Sequence, residues 1–411
     1  MMISETDRNI HSPLAYSMEV SSPARFHQLI LRLSDGPKAK GLCMVRKNKQ
    51  ESPFIRASSN EIHKPVMAGE IADIAKKYLS GDTSKVYVDG TLGLGGHAGI
   101  ILSELPNIFL IGLDRDKSSI DLATKNLAKL GLDKRYSLHN DSFDNFYEYF
   151  EGGGYQSFDF MLLDLGFSSF QIEDPYRGFS YRLDSKLDMR MNPNQKLSAY
   201  EVINEFSEHD LSMILKKFGD EKFHYRIAKA ICDRRPISST FELNEIIKYA
   251  IPAATRRTGG HPSQRTFQAI RIYVNSEFEQ LYRGLIKGLE TLDPMGLIVV
   301  LTYHSGEDRI VKNIFDAAIK GTCRCPETIP CSCGAPKLFG FPIPRKGLRP
   351  SEVELKENPR AKSAHLRVIQ KLDLGSSSQE IGSAICRLIQ ENIPLEKYVL
   401  SLSSGFKRGT T

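Results

Sequence analysis

The chain has 411 residues, of which 41% are hydrophobic and 25% charged, and its formal net charge at pH 7 is +6. This length accommodates two or three domains with an ordinary apolar core, and the mild positive charge suits a polyanionic partner without requiring one. No apolar run reaches the roughly 18 residues of a membrane-spanning helix. Four of the seven cysteines fall within eleven residues, which excludes a secreted disulfide framework and favours a reducing compartment.

The first 58 residues form a leader or linker that is rich in Ser, Lys and Arg. Only the stretch "ARFHQLILRL" within it has amphipathic periodicity. Such a segment is typical either of an organellar transit peptide or of a disordered extension. Glu5 and Asp7 are unusual in a presequence, so composition leaves both interpretations open.

Residues 59–169 alternate between strand and helix patterns. The helical pattern of "HKPVMAGEIADIAKKYL" comes first, and the predicted strands are "KVYVD", "IFLIGLD", "YSLHN" and "FDFMLLDLG". Continuous apolar strands that alternate with helices are typical of a parallel sheet covered on both faces. We therefore predict a doubly wound, Rossmann-like α/β domain.

This alternation stops in residues 170–272, where only helical periodicity is found. Four segments carry it, "SAYEVINEF", "EHDLSMILKKF", "KFHYRIAKAICDRR" and "TFELNEIIKYAI", and a longer helical stretch runs from Arg265 to Leu292. The strand pattern returns within residues 273–372, in "GLIVVLTYHS" and "SAHLRVIQKL". The sequence thus predicts an α-helical domain inserted into the α/β domain, followed by a Ser-rich, weakly helical tail at 373–411.

A glycine-rich turn, "DGTLGLGGH", follows the first predicted strand at once. In a doubly wound sheet, ligands bind at the carboxyl ends of the strands, where glycines allow the backbone to approach them. Asp114 ends the second strand and is placed to accept the hydroxyls of a ribose. The pattern fits S-adenosylmethionine (SAM) or a nicotinamide dinucleotide, although the dinucleotide signature G-x-G-x-x-G is not reproduced.

Further motifs carry a resemblance to the MraW/RsmH-type methyltransferases, and they recur in order from about residue 63 to 369. They are "HKPVM", "DGTLGLGGH", "LDRD", "LLDLGFSSFQIEDPYRGFSYRLDSKLDMRM", "FGDEKFHYRIAKAI", "HPSQRTFQAIRIYVN", "HSGEDRIVK" and "ENPRAKSAHLRV". The resemblance implies a SAM-dependent methyltransferase fold that methylates the exocyclic amine of a cytosine in small-subunit rRNA. The leader and the tail lie outside it.

The resemblance also assigns the residues that hold SAM. It places Phe143, which is slightly out of the usual register of the family, after the third strand to stack on adenine. The implied SAM-binding residues are Gly95, Gly96, His97, Asp114, Phe143, Asp164 and Gln171.

The chemistry requires that a poorly nucleophilic amine be aimed at the methyl group, with its protons held by acceptors. Asp164 lies in "DLGFSS" after the fourth strand, where we expect it to line the reacting centre. Phe167 either stacks on a base flipped out of its RNA helix or packs in the core. In "YHSGEDR", we expect His304, Glu307, Asp308 and Arg309 to face the same edge of the sheet.

His304 has two interpretations, as a proton acceptor or base contact in the reaction, or as the cap of the helix that follows. At Gly306, the next position but one, the family usually has Leu.

Arginines interleaved with Phe179 and Tyr181 predict an RNA-binding surface on the inserted domain and its flanks, because arginines contact phosphates and aromatic rings stack on bases. The alternative is a solvated basic face. The RNA-binding candidates are Arg177, Arg182, Arg190, Arg256, Arg257 and Arg265, with Arg271 in the same run.

The motif "CRCPETIPCSC" contains Cys323, Cys325, Cys331 and Cys333. Four thiols at this spacing form either a structural zinc site or a cluster of reduced, metal-free cysteines. The C-x-C spacing is tighter than the C-x-x-C that is usual in zinc sites, so the motif leaves both interpretations open.

Three functions remain open from the sequence: a SAM-dependent rRNA cytosine-N4 methyltransferase, a nicotinamide oxidoreductase, and a non-catalytic rRNA-binding factor of ribosome assembly. The intact SAM motif favours the first. The expected partner is small-subunit rRNA or an assembling small subunit, with no membrane. The leader resembles that of eukaryotic members that act in mitochondria, so the mitochondrial matrix is the expected compartment and the cytoplasm its alternative. The oligomeric state is not predicted.

Overall fold

The structure is a computed structural model that describes residues 64–132, 134–150, 153–166, 174–253, 261–326 and 332–400. All of these residues belong to one compact unit. The predicted leader and the end of the predicted tail lie outside the described residues. No helix among the described residues is long and apolar enough to cross a membrane.

Seven strands form a single mixed sheet in the order β3-β2-β1-β4-β5-β7-β6. Strands β1 to β5 are parallel, and β7 runs antiparallel to both of its neighbours, β5 and β6. The strands are β1 Lys85–Asp89, β2 Ile108–Leu113, β3 Tyr136–His139, β4 Phe158–Asp164, β5 Leu292–Thr302, β6 Phe339–Gly340 and β7 His365–Lys371. The predicted doubly wound α/β sheet is confirmed.

Each face of this sheet is buried against helices. Tyr87 and Leu162 belong to one apolar cluster, whereas Val88 and Leu163, the next residue in each strand, belong to the other. Since side chains alternate across a strand, burial of both sets explains the continuous apolar runs of the sequence.

Helices α1 to α3 are Ala68–Leu79, Gly96–Glu104 and Lys117–Lys129; α1 precedes β1, and α2 and α3 connect β1 to β2 and β2 to β3. Between β4 and β5 the described helices are α4 Ala199–Glu205, α5 Glu208–Gly219, α6 His224–Cys232, α7 Thr240–Ala250, α8 Gln264–Asn275 and α9 Glu277–Thr291. The four predicted helical segments correspond to α4 to α7. The exact domain boundaries that we drew stay predictions.

The long helical stretch expected before β5 is divided in two at Ser276. This residue adopts a left-handed conformation (φ 53°) and ends α8, while α9 begins at the next residue. The side-chain amide of Asn275 donates to the carbonyl of Met189 (2.8 Å), and its side-chain oxygen accepts from the N–H of Met191 (2.7 Å). The break therefore sits where α8 is bonded to the segment that precedes α4.

After β5, the chain forms α10 Ser305–Lys320, the short α11 Glu352–Glu357 and α12 Ser378–Asn392. The predicted weakly helical tail thus contains a helix of 15 residues, and its apolar face buries Ile385, Cys386 and Ile389 against the core.

Candidate active site

A cavity of about 420 Å³ opens at the carboxyl ends of β1, β2, β4 and β5. This volume lies within the range of ordinary small-molecule sites, and the position is the one that doubly wound sheets use for ligands. The charged residues of its wall comprise four bases, Lys64, Arg115, Arg271 and Arg360, and four acids, Asp114, Asp164, Glu277 and Glu307.

The glycine-rich turn forms one wall of the cavity. Gly93 (φ 54°) and Gly95 (φ 79°) both adopt left-handed conformations that favour glycine. Gly95 is buried and starts α2, whereas Gly93 and Gly96 line the cavity. A Cβ on Gly96 would lie 2.6 Å from Cγ of Pro65, so this glycine allows the "HKPVM" segment to pack beside the turn.

Glu354 and Asn358, from the C-terminal part of the chain, hold the "HKPVM" segment in place. Buried Glu354 accepts a hydrogen bond from the N–H of Met67 (2.6 Å), and the side chain of Asn358 donates to the carbonyl of Lys64 (3.4 Å). Two of the motifs that carry the resemblance, "HKPVM" and "ENPRAKSAHLRV", therefore meet at the cavity.

Asp114 is half-buried at the end of β2, and its carboxylate already accepts two backbone hydrogen bonds. The N–H of Gly93 donates to Oδ2 (2.9 Å), and that of Asp116 donates to Oδ1 (2.8 Å). Burial raises the pKa of Asp114 to about 6. Each carboxylate oxygen has a second lone pair, so Asp114 retains the capacity to accept two ligand hydroxyls.

Phe143 lines the cavity despite its unusual register in the sequence. It begins a short 3-10 helix after β3, and its ring packs where a Cβ on Gly284 would clash, at 2.8 Å. Its predicted contact with adenine stays a prediction.

Asp164, the last residue of β4, is the centre of a polar cluster. The hydroxyl of Tyr303, at the end of β5, donates to Oδ1 (2.7 Å), and Nε2 of His97 lies 3.5 Å from Oδ2. The backbone N–H of Asp164 donates to the hydroxyl oxygen of Thr91 (2.6 Å). Nε2 of His97 is buried and has no hydrogen-bond partner among the described residues. This cluster places a carboxylate, an imidazole and a phenol on one stretch of cavity wall.

His304 serves as the N-cap of α10, one of the two roles that the sequence left open. Its Nδ1 accepts from the N–H of Glu307 (3.4 Å), and its Nε2 lies 2.9 Å from Oε1 of Glu307. The residue also lines the cavity, so its prediction as a reaction participant stays a prediction. Burial raises the pKa of the Glu307 carboxyl, but His304 and Arg271 together bring that pKa below its ordinary value.

Of the four residues expected at this edge of the sheet, Asp308 and Arg309 do not line the cavity. Asp308 forms ion pairs with Arg367 (2.7 Å) and His365 (2.7 Å) of β7, and Arg309 lies 3.3 Å from Asp220. On a helix, consecutive residues point in different directions, so only part of "HSGEDR" reaches one site.

Gly306, where the family usually has Leu, lies against Phe278. An added Cβ would approach Cζ of Phe278 to 2.5 Å. The aromatic ring occupies the space that a larger side chain at 306 would need.

A second wall of the cavity consists of residues that sequence reasoning missed as site residues. Arg271 is only 7% exposed and forms a two-point ion pair with Glu277 (2.9 and 2.8 Å). Arg115 donates to the carbonyl of Asn275 (2.7 Å) and to the side chain of Gln280 (3.1 Å). The only available signal was that Arg115 and Arg271 lie in motifs of the resemblance, whereas Glu277 and Gln280 lie outside them. For Arg271, the predicted RNA contact is replaced by an internal ion pair.

The candidate RNA-binding arginines fall into three groups. Arg182 and Arg265 are exposed, and Arg256 and Arg257, like Gln171, Phe167 and Cys331, lie outside the described residues. Arg177 and Arg190 use their guanidinium groups inside the protein. Arg177 pairs with Asp116 (2.9 Å), which is 1% exposed, and Arg190 pairs with Asp188 (2.6 Å).

The aromatic residues of the same motif also pack internally. Phe179 is buried, and Tyr181 stacks on His261 with ring centroids 4.2 Å apart. The geometry therefore argues against these two rings as stacking platforms for RNA bases.

The comparisons with known proteins agree with this site. A family model described as the MraW methylase family matches residues 60–372, roughly three quarters of the chain. The chain is 45% identical over 295 residues to ribosomal RNA small subunit methyltransferase H 2 of Agathobacter rectalis, which covers 70% of this chain and 93% of the relative. It is 45% identical over 292 residues to ribosomal RNA small subunit methyltransferase H of Brevibacillus brevis, covering 70% of this chain and 92% of the relative.

Among solved structures, an rRNA methylase from Streptococcus thermophilus aligns with 74% of this chain and 94% of its own, with 10% identity and a TM-score of 0.33. The sequence matches, which span the cavity-lining motifs, rule against the nicotinamide oxidoreductase. The chain therefore belongs to the MraW methylase family, and it is a methyltransferase that uses SAM.

Proposed function

We propose that this chain transfers a methyl group from SAM to the exocyclic N4 amine of a cytosine in small-subunit ribosomal RNA. The observation that carries the proposal is Asp164, which ends β4 in the cavity with its carboxylate oriented by Tyr303. The names of the relatives, which are small-subunit rRNA methyltransferases, support the substrate class.

The described residues fit SAM. Asp114 has unused lone pairs for the two ribose hydroxyls, Phe143 offers a ring to adenine, and Gly93 leaves room for the ligand beside the backbone. When bound, SAM supplies an electrophilic methyl group on a positively charged sulfur. The balanced acids and bases of the cavity wall suit a ligand that carries both a carboxylate and positive charges.

Asp164 holds the target amine. The amine of cytosine is a weak nucleophile because its lone pair is delocalised into the ring, so a fixed acceptor for its protons has two effects. It orients the lone pair, and it stabilises the positive charge that develops on nitrogen. Tyr303 engages one lone pair of Oδ1, so Oδ2 and the second lone pair of Oδ1 remain to accept from the amine.

The rRNA backbone contacts the exposed arginines. Arg182 and Arg265 are exposed on the part of the chain between β4 and β5, as expected for phosphate contacts. We include Arg256 and Arg257 on sequence grounds. Either free rRNA or an assembling small subunit presents phosphates to these arginines, and the net positive charge of the chain suits both.

Replacing Arg256 and Arg257 together with Ala tests the RNA surface. The affinity for rRNA should fall, and the slope of log K against log salt should flatten by about 1 to 2, because each phosphate contact releases counterions. The matched control is the double replacement of Lys125 and Lys129, two exposed cations of α3, with Ala. An unchanged salt slope in the arginine variant would remove these two residues from the interface.

The decisive experiment supplies the purified protein with tritiated-methyl SAM and small ribosomal subunits from cells that lack it. Label recovered in N4-methylcytidine after digestion to nucleosides is the expected result. If SAM and rRNA bind but no nucleoside is labelled, the proposal fails in favour of the non-catalytic assembly factor.

We also propose that the protein acts in the mitochondrial matrix, because residues 1–58 precede the matched family region and contain the basic amphipathic stretch. A fluorescent reporter fused to residues 1–58 should enter mitochondria, and the same fusion with Arg25 and Arg32 changed to Glu should not. A cytosolic reporter in both cases would contradict this location.

A further inference from the structure

The loop between α10 and β6 carries a cluster of thiols that methyl transfer does not use. Cys323 and Cys325 follow the end of α10, and Cys333 returns to them from further along the loop. The sulfur atoms of all three lie within 4.8 Å of one another, and those of Cys323 and Cys333 are 3.5 Å apart.

These separations match the geometry of a shared metal ion. Thiolates at about 2.3 Å from a tetrahedral zinc ion lie about 3.8 Å from each other. A disulfide requires about 2.05 Å between its sulfur atoms, which is much shorter than the separation of Cys323 and Cys333.

Burial does not explain why the thiols converge. Free cysteine is among the most buried residue types, yet Cys333 is exposed and Cys323 and Cys325 are only half-buried. The apolar core thus gains little from collecting them, whereas a metal ion requires thiols at a common point.

We propose that Cys323, Cys325 and Cys333 bind one zinc ion. Thiolate ligands select zinc over hard cations, and zinc takes tetrahedral coordination. Cys331, the fourth cysteine of the motif, lies outside the described residues, so the assignment is made to three thiolates.

The ion joins the two ends of a loop that packs on α12. At one end, a Cβ on Gly321 would lie 3.3 Å from Ile385, and at the other end, buried Leu338 contacts Gly382. Leu338 leads into β6, an edge strand of only two residues. The metal therefore stabilises the β6 edge of the sheet. It leaves the cavity unchanged, because none of the described residues from 321 to 340 lines it.

Metal analysis of the full-length protein, purified with reductant and without chelators, tests the assignment. We expect one zinc per chain in the wild type and in Cys232→Ser, whose half-buried thiol lies in α6. The variant with both Cys323→Ser and Cys333→Ser should contain less than a tenth of this amount. A zinc-free wild type, iron with acid-labile sulfide, or a Cys323–Cys333 disulfide would each overturn the proposal.

Cobalt replacement covers the case in which the double variant does not fold. The wild-type protein exchanged with Co²⁺ should show thiolate-to-metal charge-transfer and tetrahedral d–d absorption, and Cys333→Ser should weaken the charge-transfer band. A zinc chelator should lower the unfolding midpoint of the wild type by several degrees, with recovery on adding Zn²⁺, while the Kd for SAM stays within twofold. Octahedral cobalt spectra without a charge-transfer band would overturn thiolate ligation.

Discussion

The two walls of the cavity are held by different interactions. The glycine wall, residues 90–97 with Asp114, is fixed by left-handed glycines and by backbone hydrogen bonds such as Gly93 to Asp114 (2.9 Å). The arginine wall consists of Arg115, Arg271, Glu277 and Gln280, and it is held by bonds from guanidinium groups. One of these bonds links Arg115 to Asn275, which is 160 positions later in the chain. Backbone conformation thus shapes one wall, and charge pairing between distant segments shapes the other.

The difference determines how each wall responds to mutation. A near-isosteric change in the glycine wall, such as Asp114→Asn, weakens a ligand contact while the left-handed glycines still shape the turn. Loss of one arginine from the other side leaves a buried partner charge uncompensated, which is costly for folding. Variants of the glycine wall should therefore reduce ligand binding, and variants that leave a buried acid unpaired should reduce stability.

Asp164 contacts Thr91 and His97 of the glycine wall, and its replacement with Asn should have the largest effect. We expect kcat to fall by about 100-fold or more, because a charged acceptor for the target amine is lost from a preorganised site. The thermal unfolding midpoint should stay close to that of the wild type. Asp121→Asn on the surface of α3, where Asp121 pairs with Lys117, is the matched control. Wild-type kcat in Asp164→Asn would remove this carboxylate from the reaction.

The variant Arg177→Ala tests how much the buried ion pair between Arg177 and Asp116 contributes to the stability of the fold. Arg177 pairs with Asp116, which is 1% exposed and also caps α3 through the N–H of Ser118 (3.0 Å). We expect the free energy of unfolding, measured by urea denaturation, to fall by about 3 kcal/mol, because the buried carboxylate of Asp116 loses its guanidinium partner.

The control for this variant comes from the same motif. Arg182 is exposed, so Arg182→Ala should leave stability unchanged within error and should weaken rRNA binding instead. If both variants lose the same stability, the distinction between internal and RNA-facing arginines is wrong.

Arg177 and Arg182 also show how much of the structure can be predicted from the sequence. The parallel sheet, the glycine turn and Asp114 follow from patterns within a few residues, because strand periodicity and turn conformation are local properties. Arg177 and Arg182 lie five residues apart in one basic, aromatic motif and cannot be told apart there. What separates them is Asp116, 61 residues earlier, which only the fold brings into contact.

The same reason explains why the sequence did not separate Asp308 from His304 and Glu307, which line the cavity. Its partners, His365 and Arg367, belong to a strand more than 50 residues later. By contrast, Glu307 bonds within its own helical turn, and its position near His304 was predictable from the capping pattern.

Asp114→Asn tests the glycine wall through pH. With a pKa of about 6, the carboxyl of Asp114 is charged at pH 7.5, and its charged fraction falls about fourfold by pH 5.5. A protonated carboxyl is the weaker hydroxyl acceptor, so the Kd of the wild type for SAM should rise by about that factor as pH falls. In Asp114→Asn, the Kd at pH 7.5 should already be about tenfold higher, since hydrogen bonds to charged groups contribute about 1.5–3 kcal/mol.

Isothermal titration at both pH values in both proteins isolates Asp114. Burial also raises the pKa of Asp89 to about 6, but Asp89 does not line the cavity and is present in both proteins. Titration of SAM itself cancels in the same way. An equal pH dependence of Kd in wild type and variant would show that another group controls SAM binding.

Tyr303→Phe makes the smallest chemical change of these variants, so its result is the easiest to interpret. The variant removes only the hydroxyl that donates to Oδ1 of Asp164 (2.7 Å), and the ring remains packed. We expect kcat to fall by about tenfold with little change in KM, because one hydrogen bond to a charged group is lost from the residue that orients the amine. Tyr78→Phe on α1, away from the cavity, is the matched control.

The role of Tyr303 as a positioning residue is tested further by combining the changes. If its hydroxyl acts only through Asp164, adding Tyr303→Phe to Asp164→Asn should lower kcat by less than twofold, because residues that share one interaction are not additive. A full tenfold further loss in the double variant would mean that the hydroxyl contacts the substrate directly. Tyr303 would then be a second residue that acts directly on the substrate.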